Sequence, residues 1–270
     1  MNRSCGRSAA LILAAFLFVV VPAAAATQTG RFEKTLKVSA PVELDVDTGA
    51  GKVTVRAGDA SSVRIVGTLR TVDVWSSERA ARAIREVEAN PPVEQKGNYV
   101  RVGHLFGELR KGIQISFEIT VPAETSVRIK TGLGDVVVKG VRRGVRVDTG
   151  AGSIWLEGVG GEIWADTGLG DVDVRAAAGA VRVKSGAGSI KMEGRPGGTW
   201  RLDTSLGNIT VRVAPGAAFE VRAKTALGSI HSRHTIEIRD ALLSSEARGK
   251  VRGGGALLDL STGAGSIHIE

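Results

Sequence analysis

The sequence predicts an all-β protein: a β-solenoid or flattened β-roll of coils about 18 residues long, with an N-terminal β segment containing one short helix. Three observations lead there: a recurring Thr-Gly-x-Gly turn, strict alternation of apolar and polar residues between the turns, and glycines at fixed offsets. The turn occurs as Thr48-Gly-Ala-Gly51, Thr131-Gly-Leu-Gly134, Thr149-Gly-Ala-Gly152, Thr167-Gly-Leu-Gly170 and Ser185-Gly-Ala-Gly188, then as Thr204-Ser-Leu-Gly207, Thr225-Ala-Leu-Gly228 and Thr262-Gly-Ala-Gly265. From Thr131 to Ser185 the period is 18 residues three times running, then 19 and 21, and the last copy follows after 37. A fixed period is the signature of repeat architectures, and the final gap predicts a degenerate coil or loop over Asp240 to Gly254.

Each period reads as strand, turn, strand, turn. In Val145-Arg-Val-Asp148 the valines share one face and Arg146 and Asp148 the other, because strand side chains alternate with period two. Ile154 and Leu156, Ile163 and Ala165, Val172 and Val174, Val181 and Val183, and Ile190 and Met192 continue the inward set. Most are β-branched, as a strand surface favours. Such a strand pair buries its apolar face only by stacking on its neighbours. A β-sandwich of meandering hairpins is the rival, since half-repeats of nine residues fit hairpins. The identity of the 18-residue period favours stacked coils over 126–270.

The part before it, 27–125, is predicted to cap the stack. Val42 to Asp47, Lys52 to Arg56, Val63 to Leu69, Tyr99 to Val102 and Ile113 to Val121 alternate as strands. Residues 77–89 form the one convincing helix, with serine at its start and Asn90-Pro91-Pro92 after its end. Residues 27–270 are expected to be one continuous domain.

Residues 1–26 read as a signal peptide. Arg3 and Arg7 precede the apolar run Ala9 to Val21, Pro22 breaks it, and Ala23 to Ala26 offers small residues for cleavage near Ala26–Thr27. The run is short for a membrane span, and no second one follows. This predicts export to the periplasm, the cell surface or the medium, with no span after cleavage. The single cysteine, Cys5, lies ahead of the apolar run, so the mature chain has neither a disulfide nor a thiol. Removing Arg3 and Arg7 lowers the formal net charge from +8 to +6. That balance suits acidic partners, and for an exported protein acidic polysaccharide or an envelope protein rather than nucleic acid.

Motifs for chemistry are weak. Asp47-Thr48-Gly49, Asp148-Thr149-Gly150 and Asp166-Thr167-Gly168 spell the aspartic-protease tripeptide, yet Lys130, Lys184, Lys224 and Ser261 hold the aspartate position in equivalent copies. A catalytic carboxylate dyad does not tolerate that exchange. The Gly-x-Gly-Asp turns ending at Asp135 and Asp171 resemble calcium-binding repeats, but the other copies carry Lys52, Ser153, Ser189, Asn208, Ser229 and Ser266, too few ligands for a ladder of ions. His104, His231, His234 and His268 show no metal-ligand spacing. No catalytic residue, metal or cofactor is predicted.

One constellation remains. If the coils stack in register, Arg128, Arg146, Trp164, Arg182, Arg201 and Arg222 form an outward column, with steps of about 4.8 Å. Trp155 is expected in a neighbouring column, beside Val137 and Lys191. Guanidinium forks bind carboxylates, and indole faces stack on sugars. The plainer alternative is a solvated basic face relieved by Asp148, Asp166 and Asp203.

The early strands around Thr48-Gly-Ala-Gly51, the helix from Ser77 to Glu88, Val93-Glu-Gln-Lys-Gly-Asn-Tyr-Val-Arg-Val102 and the stretch from Phe117 to Val136 resemble the bacterial putative-adhesin family, a β-strand-repeat domain of unknown function. Val121-Pro-Ala123 running on to Thr131-Gly-Leu-Gly-Asp135 is the most specific part, and the likeness spans nearly all of the chain after the leader. It implies a β-repeat fold and an adhesion-like role, and supplies no catalytic residues. The expected function is an exported, non-enzymatic adhesion-like or scaffold module of the cell envelope. The alternatives are a purely structural periplasmic assembly or stalk component and, more remotely, a carbohydrate-active β-helix enzyme, which would need clustered carboxylates.

Overall fold

The computed structural model describes residues 28–72, 76–242 and 244–270; the expected signal peptide at 1–26 lies outside the described residues. Alternation decides the local structure. Val145–Ala151 buries Val145, Val147 and Thr149 and exposes Arg146 and Asp148. After a corner at Gly152, Ile154–Glu157 buries Ile154 and Leu156. Inward residues from both strands of every coil join one core running the length of the stack. Each fully buried Val, Ile or Leu contributes about 1.5–3 kcal/mol by leaving water.

The described strands form one twelve-stranded and one eleven-stranded sheet. Through the repeat the pairing is parallel and joins equivalent positions. Val145–Ala151 lies between Thr125–Leu133 and Ile163–Leu169, each residue meeting the one 18 positions away. In the eleven-stranded sheet Ile154–Glu157 lies between Val136–Lys139 and Val172–Ala177 in the same way. Each coil thus crosses both sheets once, and the hairpin meander is not how the repeat pairs. At the ends the pairing turns antiparallel, in Thr29–Lys37 with Ser62–Thr71 and in Val93–Lys96 with Tyr99–Val102. Both sheets are therefore mixed, and neither closes into a barrel.

The stacking explains the Thr-Gly-x-Gly turn. Its threonine or serine points inward at the corner, and in six of the eight copies the hydroxyl donates to a glycine carbonyl of the adjacent coil, as from Thr167 to Gly152 at 3.0 Å, Ser185 to Gly170 at 3.1 Å and Thr204 to Gly188 at 2.9 Å. The last glycine makes the corner. Gly170 has φ +143°, and a Cβ there would strike the Gly152 carbonyl oxygen. Both the dihedral and the close approach require glycine. Asp135 and Asp171, the residues that suggested calcium, accept the backbone N–H of Ser153 and Ser189 in the next coil, at 2.9 and 2.7 Å.

Four expectations change. The Thr48 copy, assigned to the capping part, is itself a coil of the stack: Val42–Ala50 pairs in register with Thr125–Leu133. The final copy does not follow the Thr225 coil. Ala256–Ala264 inserts between Trp200–Leu206 and Phe219–Leu227, parallel to both. In place of a degenerate coil, Glu237–Asp240 and Ser245–Val251 form an antiparallel hairpin on the outer side of Phe219–Leu227. Besides the expected helix α1 (Ser77–Ala89), capped by the Ser76 hydroxyl accepting from the Arg79 amide, a short helix α2 (Gly107–Gly112) stands beside the Thr48 coil.

Candidate functional site

The outward face of the twelve-stranded sheet carries the predicted column. Register places Arg128 beside Arg146, Arg146 beside Trp164, Trp164 beside Arg182, and Arg182 beside Arg201. The column then departs from expectation. The inserted C-terminal strand sets Asp259 between Arg201 and Arg222. Asp259 lies 2.9 Å from Arg201, and Arg222 approaches Glu220 at 3.8 Å. At the other end Asp45 follows Arg128, and Arg101 follows Asp45.

Trp155 does not join this column. It stands on the outward side of the eleven-stranded sheet, across the core from the arginines, between Val137 and Asp173. Lys139 and Arg175 lie over its ring at 5.7 and 4.3 Å from the centroid. A hydrogen bond from Lys139 lowers the Glu157 pKa there, and one to Asp173 raises that of Arg175. This patch is already neutralised by its own ion pairs.

The six column residues therefore divide. Arg128, Arg146, Trp164 and Arg182 line a groove of about 610 Å³ together with Tyr99, Glu43, Asp45 and Glu162; Arg201 and Arg222 do not line it. Ser126 and Gly144, small residues in the next outward row, leave the depression, which Leu44, Val127 and Val145 also line. Among the described residues no carboxylate lies within 4.0 Å of Arg128, Arg146 or Arg182. The groove acid Asp45 instead accepts the Tyr99 hydroxyl at 2.9 Å. The Arg146 guanidinium lies over the Trp164 ring, 2.9 Å from its centroid. Stacking uses the face of the guanidinium and leaves its N–H edge free for a carboxylate or phosphate. It also covers the indole face that the sequence reading reserved for sugar; Tyr99 is the other aromatic ring of the groove.

The remaining motifs are placed as follows. Asp148 and Asp166 are register neighbours on an open sheet face, not opposed across a cleft. Asp47 faces Arg110 at 3.5 Å. His231 and His268, far apart in sequence, meet as a stacked pair with ring centroids 5.2 Å apart. Among the described residues no three His, Cys, Asp or Glu side chains gather as a metal site.

No family model matches the chain, and no curated protein matches it. Solved structures that it resembles include a putative cell adhesion protein and putative adhesins. One is a putative cell adhesion protein from Clostridium sporogenes, 13% identical, covering 90% of this chain and 99% of that one, with TM-score 0.39. Another is a putative adhesin from Bacteroides fragilis, 12% identical, covering 89% and 97%, with TM-score 0.35. A third, from Parabacteroides merdae, is 7% identical over 89% and 96%, with TM-score 0.33. Likenesses this distant leave function to be argued from the chain's own residues.

Sequence reasoning missed Tyr99, Glu43, Asp45 and Glu162. Tyr99 reaches the groove because Tyr99–Val102 pairs with Val42–Ala50, a long-range contact that no repeat announces. Glu162 sits two residues before Trp164, so its outward direction was readable from period two.

Proposed function

We propose that this chain is an exported, non-enzymatic adhesion-like module that binds acidic polysaccharide in the groove around Arg128, Arg146 and Arg182. On this reading the parallel coils form a two-sided β-solenoid. Residues 1–26 are a cleaved signal, and 27–270 act as one unit in the periplasm or at the cell surface. The observation that carries it is that three guanidinium groups of one column, with no carboxylate partner, lie in one concave site, while Arg201 and Arg222, the column's arginines outside the groove, have carboxylate partners. Unpaired cations one and then two steps of about 4.8 Å apart suit a ligand with repeated negative charge. Glu43, Asp45 and Glu162 at the margins disfavour a ligand of uniformly dense charge, such as nucleic acid, and suit a polymer whose carboxylates alternate with hydroxyls.

Retention on a polyuronate in affinity electrophoresis tests the reading. Arg128→Glu with Arg182→Glu is expected to weaken binding at least about tenfold, a loss of roughly 1.4 kcal/mol or more. Arg201→Glu, whose charge Asp259 already offsets, should change it little. Equal retention of the double variant and the parent, or equal loss from Arg201→Glu, would overturn the assignment to this groove.

A further inference from the structure

The third residue of each Thr-Gly-x-Gly turn sits at the corner where the chain passes from the twelve-stranded to the eleven-stranded sheet. Read in spatial order, these residues are Ala50, Leu133, Ala151, Leu169, Ala187, Leu206, Ala264 and Leu227. Alanine and leucine alternate without a break. Chain order would place Leu206 next to Leu227; the insertion of the C-terminal strand puts Ala264 between them. The leucines are 60, 60, 59 and 55% exposed, and with Phe106, Ile238 and Leu242 they make up the exposed large hydrophobics among the described residues. A row of leucines separated by notches runs along one edge for about 34 Å, seven steps of about 4.8 Å. It exposes on the order of 400 Å² of apolar side chain, the size of the largest patch on a typical monomer, which is often a functional one.

We infer that this edge is a self-association surface on which a second copy of the chain docks antiparallel. The two-fold symmetry of a dimer allows two ways of setting edge against edge. With the axis along the stack, each coil meets its own equivalent: leucine abuts leucine and the alanine notches stay empty. With the axis across the stack, coil order reverses. Because eight positions alternate, every leucine then enters an alanine notch of the partner: Leu133 against Ala264, Leu169 against Ala187, Leu206 against Ala151, Leu227 against Ala50.

The polar row just around the corner is compatible with the antiparallel arrangement. It reads Lys52, Asp135, Ser153, Asp171, Ser189, Asn208, Ser266, Ser229 in spatial order. Reversal sets Asp135 against Ser266 and Asp171 against Ser189, a carboxylate against a hydroxyl each time. Rotation about the stack axis also exchanges the two sheet sides, so in the parallel arrangement this row faces the partner's twelve-stranded side instead. Two meshed ridges cover on the order of 1,000 Å² in total, the lower bound for a specific interface. The surface is separate from the arginine groove, so the two readings stand or fall apart.

The test uses secreted protein from cells expressing the full sequence with Cys5→Ser, so that no native thiol interferes. Analytical ultracentrifugation over a concentration series is expected to show a monomer–dimer equilibrium. Leu133→Glu with Leu206→Glu should leave a monomer with unchanged circular dichroism and melting temperature. Independently of that variant, Leu133→Cys mixed with Ala264→Cys should form a disulfide-linked pair under mild oxidation, and Leu133→Cys alone should not. A monomer throughout, a dimer that survives the double glutamate, or Leu133→Cys linking to itself would each overturn the proposal.

Discussion

Thr131 and Thr167 occupy the same place in turns two coils apart and are both buried, yet they differ in what the hydroxyl does. Thr167 donates to Gly152 at 3.0 Å, whereas the Thr131 hydroxyl is buried without a partner. A hydrogen bond of this kind is worth about 1 kcal/mol net, and an unsatisfied buried hydroxyl costs as much or more. Thr167→Val is therefore expected to lower stability by about 1 kcal/mol, and Thr131→Val to leave it unchanged or raise it. Gly170→Ala should cost more than either, about 2 kcal/mol or above, because it adds both backbone strain and a collision with Gly152. Urea denaturation of the three variants checks the order. Equal losses for the two threonines would mean that the turn is held by packing rather than by its hydroxyl ladder.

A coil is the element that repeats, and its tolerance is set by the inward positions. In the coil of Trp200–Leu206 a tryptophan fills the place that Val145, Ile163 and Val181 fill elsewhere. Trp200 is fully buried, and its indole N–H donates to the Gly179 carbonyl at 3.0 Å. Trp200→Ala removes that volume and that donor, and is expected to cost about 3–5 kcal/mol, seen as a shifted denaturation midpoint. A loss below about 1 kcal/mol would show that the coil collapses around the gap.

For the whole molecule the unit is two coils, not one. Leucine and alanine turns alternate along the whole stack, and from Gly132 to Ser189 the alternation is Gly-Leu-Gly-Asp with Gly-Ala-Gly-Ser. Excision of residues 150–167 joins Thr149 to Gly168, removes one coil and sets Leu133 beside Leu169. Excision of 150–185 joins Thr149 to Gly186, removes two coils and keeps the alternation. Both shortened chains are expected to fold, since each coil contacts only its neighbours. Sedimentation should show the one-coil deletion as a monomer and the two-coil deletion as a dimer. The opposite pattern would mean that the ridge does not set the association.

Much of this was legible in the residues alone. Period two fixed which side chains face the core, and period 18 fixed which positions lie side by side. Hence Arg128, Arg146, Trp164 and Arg182 were placed together without coordinates. Both signals are local or repeat at constant spacing, so they survive in one dimension. Thr29–Lys37 escaped notice because only Phe32 and Leu36 are buried in it, a spacing of four that carries no strand signal. What only the tertiary structure decided is the order in which coils stack at the C-terminal end. Nothing in the chain's spacing says that Ala256–Ala264 enters between two earlier strands. Strand pairing is a competition among edges that all offer the same backbone donors and acceptors, settled by packing across the whole stack. That one choice put Asp259 beside Arg201, ended the column's run of arginines without a carboxylate at Arg182, and completed the alternation of leucine and alanine along the edge.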